Sequence, residues 1–205
     1  MPAPGVGGRT RRAELAKAAR REEILAAARR VFAARGFRGT TIADIAEAAG
    51  IALGTIYLYF ASKEDVFAAL NEQFNALITA AMTDVPPAVS LGETVRLRVD
   101  NVFNACGENR DLVRLVVLNT DRGSAAAQRM LEADVARNGP MVEAIRRAMA
   151  AGAIRQGDPL LMTRLTNGLV SMAVYQAFVL SDGRDADTYR TMCGDMIVAY
   201  MTPSA

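Results

Sequence analysis

The chain of 205 residues contains no histidine, no tryptophan and only two cysteines. Cys106 and Cys193 lie far apart with no CxxC or Cys/His grouping, which excludes structural zinc. A buried thiol at a helix packing position is the preferred reading of Cys193, ahead of redox sensing. No apolar run reaches the ~18 residues of a membrane-spanning helix. The opening MPAPGVGGRTRR lacks the apolar segment of a secretory leader, so a cytoplasmic protein is expected. There is no nucleophile elbow, no phosphate-binding glycine loop and no group of carboxylates placed for acid/base work. With histidine also missing, the expectation is that the chain is not an enzyme and holds no cofactor and no metal.

What is present begins with an apolar content of 51%, enough for one large helical domain or for a small domain fused to a larger one. The net charge of +2 is unevenly spread. Residues 1–65 hold eleven Lys/Arg against seven Asp/Glu, a balance of +4, whereas residues 66–205 hold thirteen against fifteen, a balance of −2. Arg9, Arg11, Arg12, Lys17, Arg20 and Arg21 form the densest basic cluster, behind a Gly/Pro-rich lead. Residues 1–19 therefore read as a flexible basic arm. One role is to meet phosphates or enter a minor groove, the other a solvated lead-in to the first helix. For Arg9 to Arg12 both stand open; for the whole cluster phosphate contact is favoured.

The most informative stretch runs from Gly36 to Lys63, GFRGTTIADIAEAAGIALGTIYLYFASK. Thr41 can cap a helix with Asp44 at its third position, and Ile42, Ile45 and Ala46 recur at helical spacing. Ala49-Gly50 ends that helix, because glycine tolerates a left-handed backbone, and the chain turns sharply into Ile51. A second helix of about two turns is expected from near Ala52, with Ile56 inward and Leu53, Thr55, Tyr57 and Tyr59 on its other sides. Two short helices joined by a tight turn are the arrangement of a DNA reader. Ahead of them, Ile24, Ala28, Val31 and Phe32 share one face of a first helix expected to start near Ala13 or Arg20 and to stop at Gly36-Phe37.

This stretch resembles the signature of the tetracycline-repressor (TetR) family of bacterial transcription regulators. Gly36-Phe37, Thr40-Thr41, Ile45-Ala46, Ala49-Gly50-Ile51, Gly54-Thr55, Tyr57, Tyr59-Phe60 and Lys63 fall in that family's order and spacing. The resemblance implies an all-α protein of about nine helices. Residues 20–65 would form the helix-turn-helix domain and residues 66–205 a larger effector-binding and dimerisation domain. It implies a homodimer on a palindromic double-stranded DNA operator, in the cytoplasm and on the nucleoid. As DNA-contacting residues it implies Arg38, Thr40, Thr41, Leu53, Gly54, Thr55, Tyr57, Leu58, Tyr59 and Lys63. Thr41, Thr55 and Tyr57 fall at positions facing phosphate or bases, Tyr59 and Lys63 at backbone-contacting ones, and Gly54 permits close approach. Leu53 and Leu58 depart from the polar or larger residues common there, so readout by them would be apolar. Ala52 replaces the usual Ser or Thr and removes a cap worth ~1 kcal/mol.

Beyond the signature the sequence reads as further helices. Ser62 can cap a fourth, with Val66, Leu70, Phe74, Leu77 and Ile78 in a stripe, and Asp84-Val85-Pro86-Pro87 breaks it. Helices follow near Leu91–Ala105 and Asp111–Asn119, the valine-rich Val113 to Leu118 being readable as a strand as well. From Ser124 to Ala151 the pattern is helical, but Asn138-Gly139-Pro140 is expected to end or kink it. The last two helices, about Pro159–Leu180 and Asp185–Met201, are apolar beyond what a monomer's surface tolerates and can pack as a four-helix bundle across a two-fold axis. Leu161, Leu165, Leu169, Met192, Met196 and Tyr200 are the interface candidates.

In the family these helices enclose an effector pocket. The absence of histidine, tryptophan and lysine after Phe67, with frequent methionine, suits a small lipophilic effector. Phe103, Val117, Met130, Met172, Tyr175 and Phe178 are candidate lining residues, each also readable as ordinary core. Arg114 and Asn119 could anchor a polar group or simply be solvated. The most consistent function is a repressor released by its effector; the alternative is a DNA-binding dimer without one, controlled by a protein partner or by abundance.

Overall fold

The computed structural model describes residues 6–84, 90–119 and 125–203, with side chains from residue 11 and, in the third stretch, from residue 138. Among the described residues the chain forms helices and no strand. It divides into two compact units, Met1–Phe74 and Asn75–Ala205.

The first unit holds α1 (Val6–Arg35), α2 (Ile42–Ala48), α3 (Leu53–Ile56) and the first half of α4 (Lys63–Thr83). Helix α1 starts earlier than the expected Ala13 or Arg20, taking residues 6–19 of the expected arm into the helix. Residues 11–20 are exposed throughout, so over that part the Ala- and Arg-rich composition rather than tertiary packing supports the helix. Further along, Ile24, Leu25, Ala27, Ala28 and Phe32 are buried and face Ile45, Ala46, Ile56, Phe60, Val66 and Leu70 in one small core.

The corner between α1 and α2 is built without slack. Gly36 has φ +71°, the left-handed conformation that ends α1. Gly39 has no room for a side chain, since a Cβ there would sit 2.5 Å from the Arg35 carbonyl oxygen. Phe37 stacks between Phe32 and Phe67, with ring centroids 5.5 and 5.0 Å away. Gly50, φ +66°, closes α2 as its sequence position requires.

The second unit comprises the rest of α4, then α5 (Leu91–Glu108), α6 (Arg110–Asn119), α7 (Ala125–Ala150), α8 (Pro159–Val174), a π-helical turn (Tyr175–Leu180) and α9 (Ala186–Met201). Helix α5 opens on a capping box, with Ser90 Oγ accepting from the Glu93 amide and Glu93 accepting from the Ser90 amide. The valine-rich run is helical: α6 buries Leu112, Val113, Leu115 and Val116, a spacing that only a helix brings to one side. Asn138-Gly139-Pro140 does not end α7, which continues through it with Pro140 inside. Proline forfeits one backbone hydrogen bond there, and beyond it Ile145 and Met149 bury the apolar face of α7. Asp158 caps α8 by accepting from the amides of Leu160 and Leu161. The proline break lies largely outside the described residues; Asp84 follows the end of α4.

Gly39→Ala is expected to cost about 1–3 kcal/mol, because the added methyl meets backbone that cannot step aside. Urea unfolding measures this, and an unchanged midpoint would show that the corner has slack.

Candidate functional site

Helix α2 is set by its N-terminus. Thr41 Oγ1 accepts from the Asp44 amide at 3.2 Å, while Asp44 Oδ2 accepts from the Thr41 amide at 2.8 Å and from the Thr41 hydroxyl at 2.7 Å. Arg35 Nη1 donates to Asp44 Oδ1 at 2.7 Å, tying the end of α1 to the start of α2. The Thr41 hydrogen bonds, and then the neighbouring Arg35, hold the Asp44 carboxyl below its ordinary value of 3.8. This ion pair between the helices was not foreseen; the arginine nine residues upstream carries no local sequence signal.

Helix α3 has a single α-helical turn, shorter than the two turns expected. Ala52 offers no side-chain cap. Downstream the bonds tighten to three-residue spacing, Leu58 to Thr55 at 3.1 Å and Tyr59 to Ile56 at 2.9 Å, a geometry that seldom propagates. Ile56 and Phe60 are fully or nearly buried, whereas Leu53, Tyr57 and Leu58 are 46%, 50% and 73% exposed. Arg21 lies 5.1 Å from the Phe60 ring and backs the turn from α1.

The ten expected contact residues therefore divide. Arg38, Thr41, Leu53, Gly54, Tyr57 and Leu58 are exposed, and Thr55 and Tyr59 half-buried. Thr40 points inward: it is 1% exposed and its hydroxyl donates to the Gly36 carbonyl at 2.8 Å. Lys63 also turns back, donating to the carbonyls of Phe37 at 3.1 Å and Thr40 at 2.9 Å with its ammonium 4.9 Å from the Phe37 ring. These carbonyls lie in the corner between α1 and α2, outside any helical ladder, the Phe37 one taking a 3.4 Å bond from the Thr40 amide as well, and their pull on a cation is not revealed by spacing along the chain.

In the second unit Phe103 and Phe178 meet, with ring centroids 5.8 Å apart. Both line an open groove of about 290 Å³ whose rim is polar, carrying Glu108, Asp187 and Arg190. Val117 and Tyr175 are half-buried, the Met130 side chain lies outside the described residues, and Met172 is half-exposed on the outer face of α8. The two candidate anchors are otherwise engaged: Arg114 pairs with Asp182 at 3.0 Å, and Asn119 donates to the Leu115 carbonyl at 2.8 Å.

Five of the six interface candidates are exposed. Leu161 and Leu165, joined by Met172, run along α8, and Met192, Met196 and Tyr200 run along α9 at four-residue intervals; Leu169 is half-buried. Among the described residues no helix is long and apolar enough to cross a membrane.

Residues 24–70 match the model of the bacterial regulatory proteins of the tetR family. The transcriptional repressor KstR2 of Mycobacterium tuberculosis is 44% identical over 66 residues, which are 32% of this chain and 33% of that protein. The chain thus spans about a third of the length of this curated relative. Two solved structures share the fold over most of their length. The fatty acid degradation regulator FadR of Bacillus halodurans superposes with a TM-score of 0.73 at 23% identity, covering 87% of this chain and 94% of the other. FadR of Bacillus subtilis, solved in complex with stearoyl-CoA, gives 0.72 at 22% identity, covering 88% and 98%.

A Cβ added at Gly54 would meet nothing within 4 Å. Gly54→Ala is accordingly expected to leave the melting temperature unchanged or raised, alanine being favoured in a helix by roughly 0.5–1 kcal/mol. The same methyl is expected to weaken duplex binding about tenfold, ~1.4 kcal/mol. Fluorescence anisotropy with a labelled duplex reads the second effect, and equal affinity would remove this face from the interface.

Proposed function

We propose that this chain, a member of the tetR family of bacterial regulatory proteins, is a homodimeric repressor that binds a palindromic operator and is released by a small lipophilic effector. The observation that carries this reading is the exposed face of Leu53, Tyr57 and Leu58 on a turn whose other side is locked by Ile56 and Phe60. Large apolar and aromatic side chains held rigidly outward next to Arg38 and Thr41 suit a major-groove surface. The leucines meet thymine methyls, and the tyrosine meets phosphate or base edges. The basic cluster at the start of α1 adds the phosphate contacts of an exposed cationic helix. In this reading the protein acts in the cytoplasm, on the nucleoid.

One turn of helix addresses few base pairs, so affinity requires two copies. The exposed rows on α8 and α9 support a two-fold interface, because twelve large apolar side chains stand exposed among the described residues and six of them fall in these two rows. A two-fold axis places the two readers on half-sites about one helical turn, ~34–36 Å, apart or at a multiple of that. The effector is inferred from the apolar, methionine-containing interior of the second unit and from the likeness of its fold to a regulator solved with stearoyl-CoA.

Two outcomes are expected. Selection from a random duplex library should recover a palindrome, and enrichment should disappear when a lipophilic compound from a mixed panel is added. A palindrome recovered equally with every compound points to control by a partner or by abundance, and no enriched sequence at any salt concentration would overturn the reading. Separately, Leu165→Glu together with Met196→Glu should yield a folded monomer by sedimentation, with operator affinity reduced at least about a hundredfold, ~2.7 kcal/mol. A variant that remains dimeric would place the interface elsewhere.

A further inference from the structure

Among the described residues of the second unit, two hydrogen-bond donors are buried without acceptors. Arg98, in the middle of α5, is half-buried, and its Nε is sealed from solvent with no partner. Its one hydrogen bond to a described residue runs from Nη1 to Met141 Sδ at 3.3 Å, and a thioether is a weak acceptor. Asn138, three residues before Met141 on α7, is 8% exposed. Its Oδ1 accepts from Asn167 Nδ2 of α8 at 2.9 Å, while its own Nδ2 is buried and unpartnered. Residues three apart share a helix face, so Asn138 lies on the side of α7 that carries Met141, the residue the guanidinium touches.

This is an unusual state for a charge. On the same helix Arg96 is paired with Asp195 at 3.0 Å, and Arg190 of α9 with Asp100 at 3.5 Å and Asp187 at 2.8 Å. Arg98 has no carboxylate among the described residues, and burial alone pushes its pKa down. A half-buried cation with no counterion among the described residues is costly unless a further group supplies the opposite charge. The surroundings are apolar: Val95 and Val102 flank Arg98 on α5, and Ile145 follows Met141 by one turn on α7, all buried.

We propose that Arg98 and Asn138 form the head-group site for an anionic effector, a carboxylate or phosphate on an apolar body, accepting from the guanidinium edge and the Asn138 amide together. This rests on the reading of the chain as an effector-responsive regulator and adds the chemistry of the effector to it. A planar guanidinium matches a two-oxygen anion, and the buried amide adds directionality that a surface arginine lacks.

The test is titration calorimetry of the full chain with dodecanoate, dodecanoyl-CoA and methyl dodecanoate, alongside R98M, R98K and N138D. At least one of the two anions should bind at least tenfold more tightly than the neutral ester, and which one does so distinguishes a carboxylate from a phosphate head. R98M should reduce that preference to within twofold while leaving ester affinity unchanged. R98K, which keeps the charge but loses the fork, should lose at least tenfold for the preferred anion, and N138D, which sets a second anion against the head, should lose at least as much. R98M removes an unpaired charge and should melt at or above the unsubstituted protein; if it does not fold, R98K decides. The site is overturned if the ester binds as tightly as both anions, if the preference survives in R98M or R98K, or if no probe binds. Operator occupancy followed in the same titrations separates the two claims. Anion binding that leaves the operator occupied keeps the head-group site and removes the release reading, and operator release that is indifferent to Arg98 does the reverse.

Discussion

One cation fixes the geometry on which the reading face depends. The Lys63 ammonium reaches back 26 and 23 residues to the carbonyls of Phe37 and Thr40 and rests against the Phe37 ring. Hydrogen bonds from a charged donor contribute ~1.5–3 kcal/mol each where their partners would otherwise be unsatisfied. Lys63 is also the first residue of α4, so one side chain joins the corner before α2 to the residue that follows the reading turn. Helix α3 needs this help. A single uncapped turn cannot hold itself in water, and it stands where it does because Ile56 and Phe60 are buried and the segments on either side are tied together. The corner is equally committed: Thr40 gives its hydroxyl to Gly36, and Gly39 has no space for a methyl.

Signals confined to three or four residues were legible in the sequence. The Thr41/Asp44 box, the left-handed glycines at 36 and 50, the Ser62 cap and a helix start at Pro159 all follow from neighbouring side chains and backbone, and all are present. What distance in sequence conceals was missed. The resemblance implied DNA contact for Thr40 and Lys63, yet their side chains turn to the carbonyls of Gly36 and of Phe37 and Thr40, contacts that exist only once the corner has closed. The length of α1 was underestimated for the opposite reason. Residues 11–20 are exposed, so no buried stripe marks them, and the alanine- and arginine-rich run from Arg11 supports helix there by propensity. Of the two outcomes expected at Pro140, an end or a kink, the first does not occur: α7 continues through it.

In the second unit the same contrast separates surface from interior. The rows on α8 and α9 were legible, since a four-residue apolar repeat on a helix that already has a buried face leaves a second face to be covered. The turn that joins those helices was not. The α8 helix widens into a π-helical turn at Tyr175–Leu180, and the chain then reverses through Asp182 and Gly183, both with positive φ. Arg110 fills the space beside Gly183, donating to the Asp182 carbonyl at 3.2 Å and lying 5.7 Å from the Phe178 ring, while Arg114 takes the Asp182 carboxylate. Arg114, readable as an anchor or as solvated, is thus paired in this turn, and Arg110 beside it contacts Phe178, which packs against Phe103. The groove beside that pair has an ionic rim where an apolar lining was expected.

The placement of Arg98 bears on how such a protein can respond to a ligand. A ligand shifts an equilibrium between two arrangements only by the difference in its affinity for them. An effector held by apolar contacts gains little discrimination, because a chain of methylenes fits many arrangements almost equally well. A half-buried guanidinium is different: empty, it penalises whichever arrangement buries it more, and filled by an anion it favours that same arrangement. Discrimination then comes from one charge in a low-dielectric setting, while the apolar body supplies affinity. That division of labour gives a role to an arginine and an asparagine that each leave one buried donor unsatisfied among the described residues of the second unit.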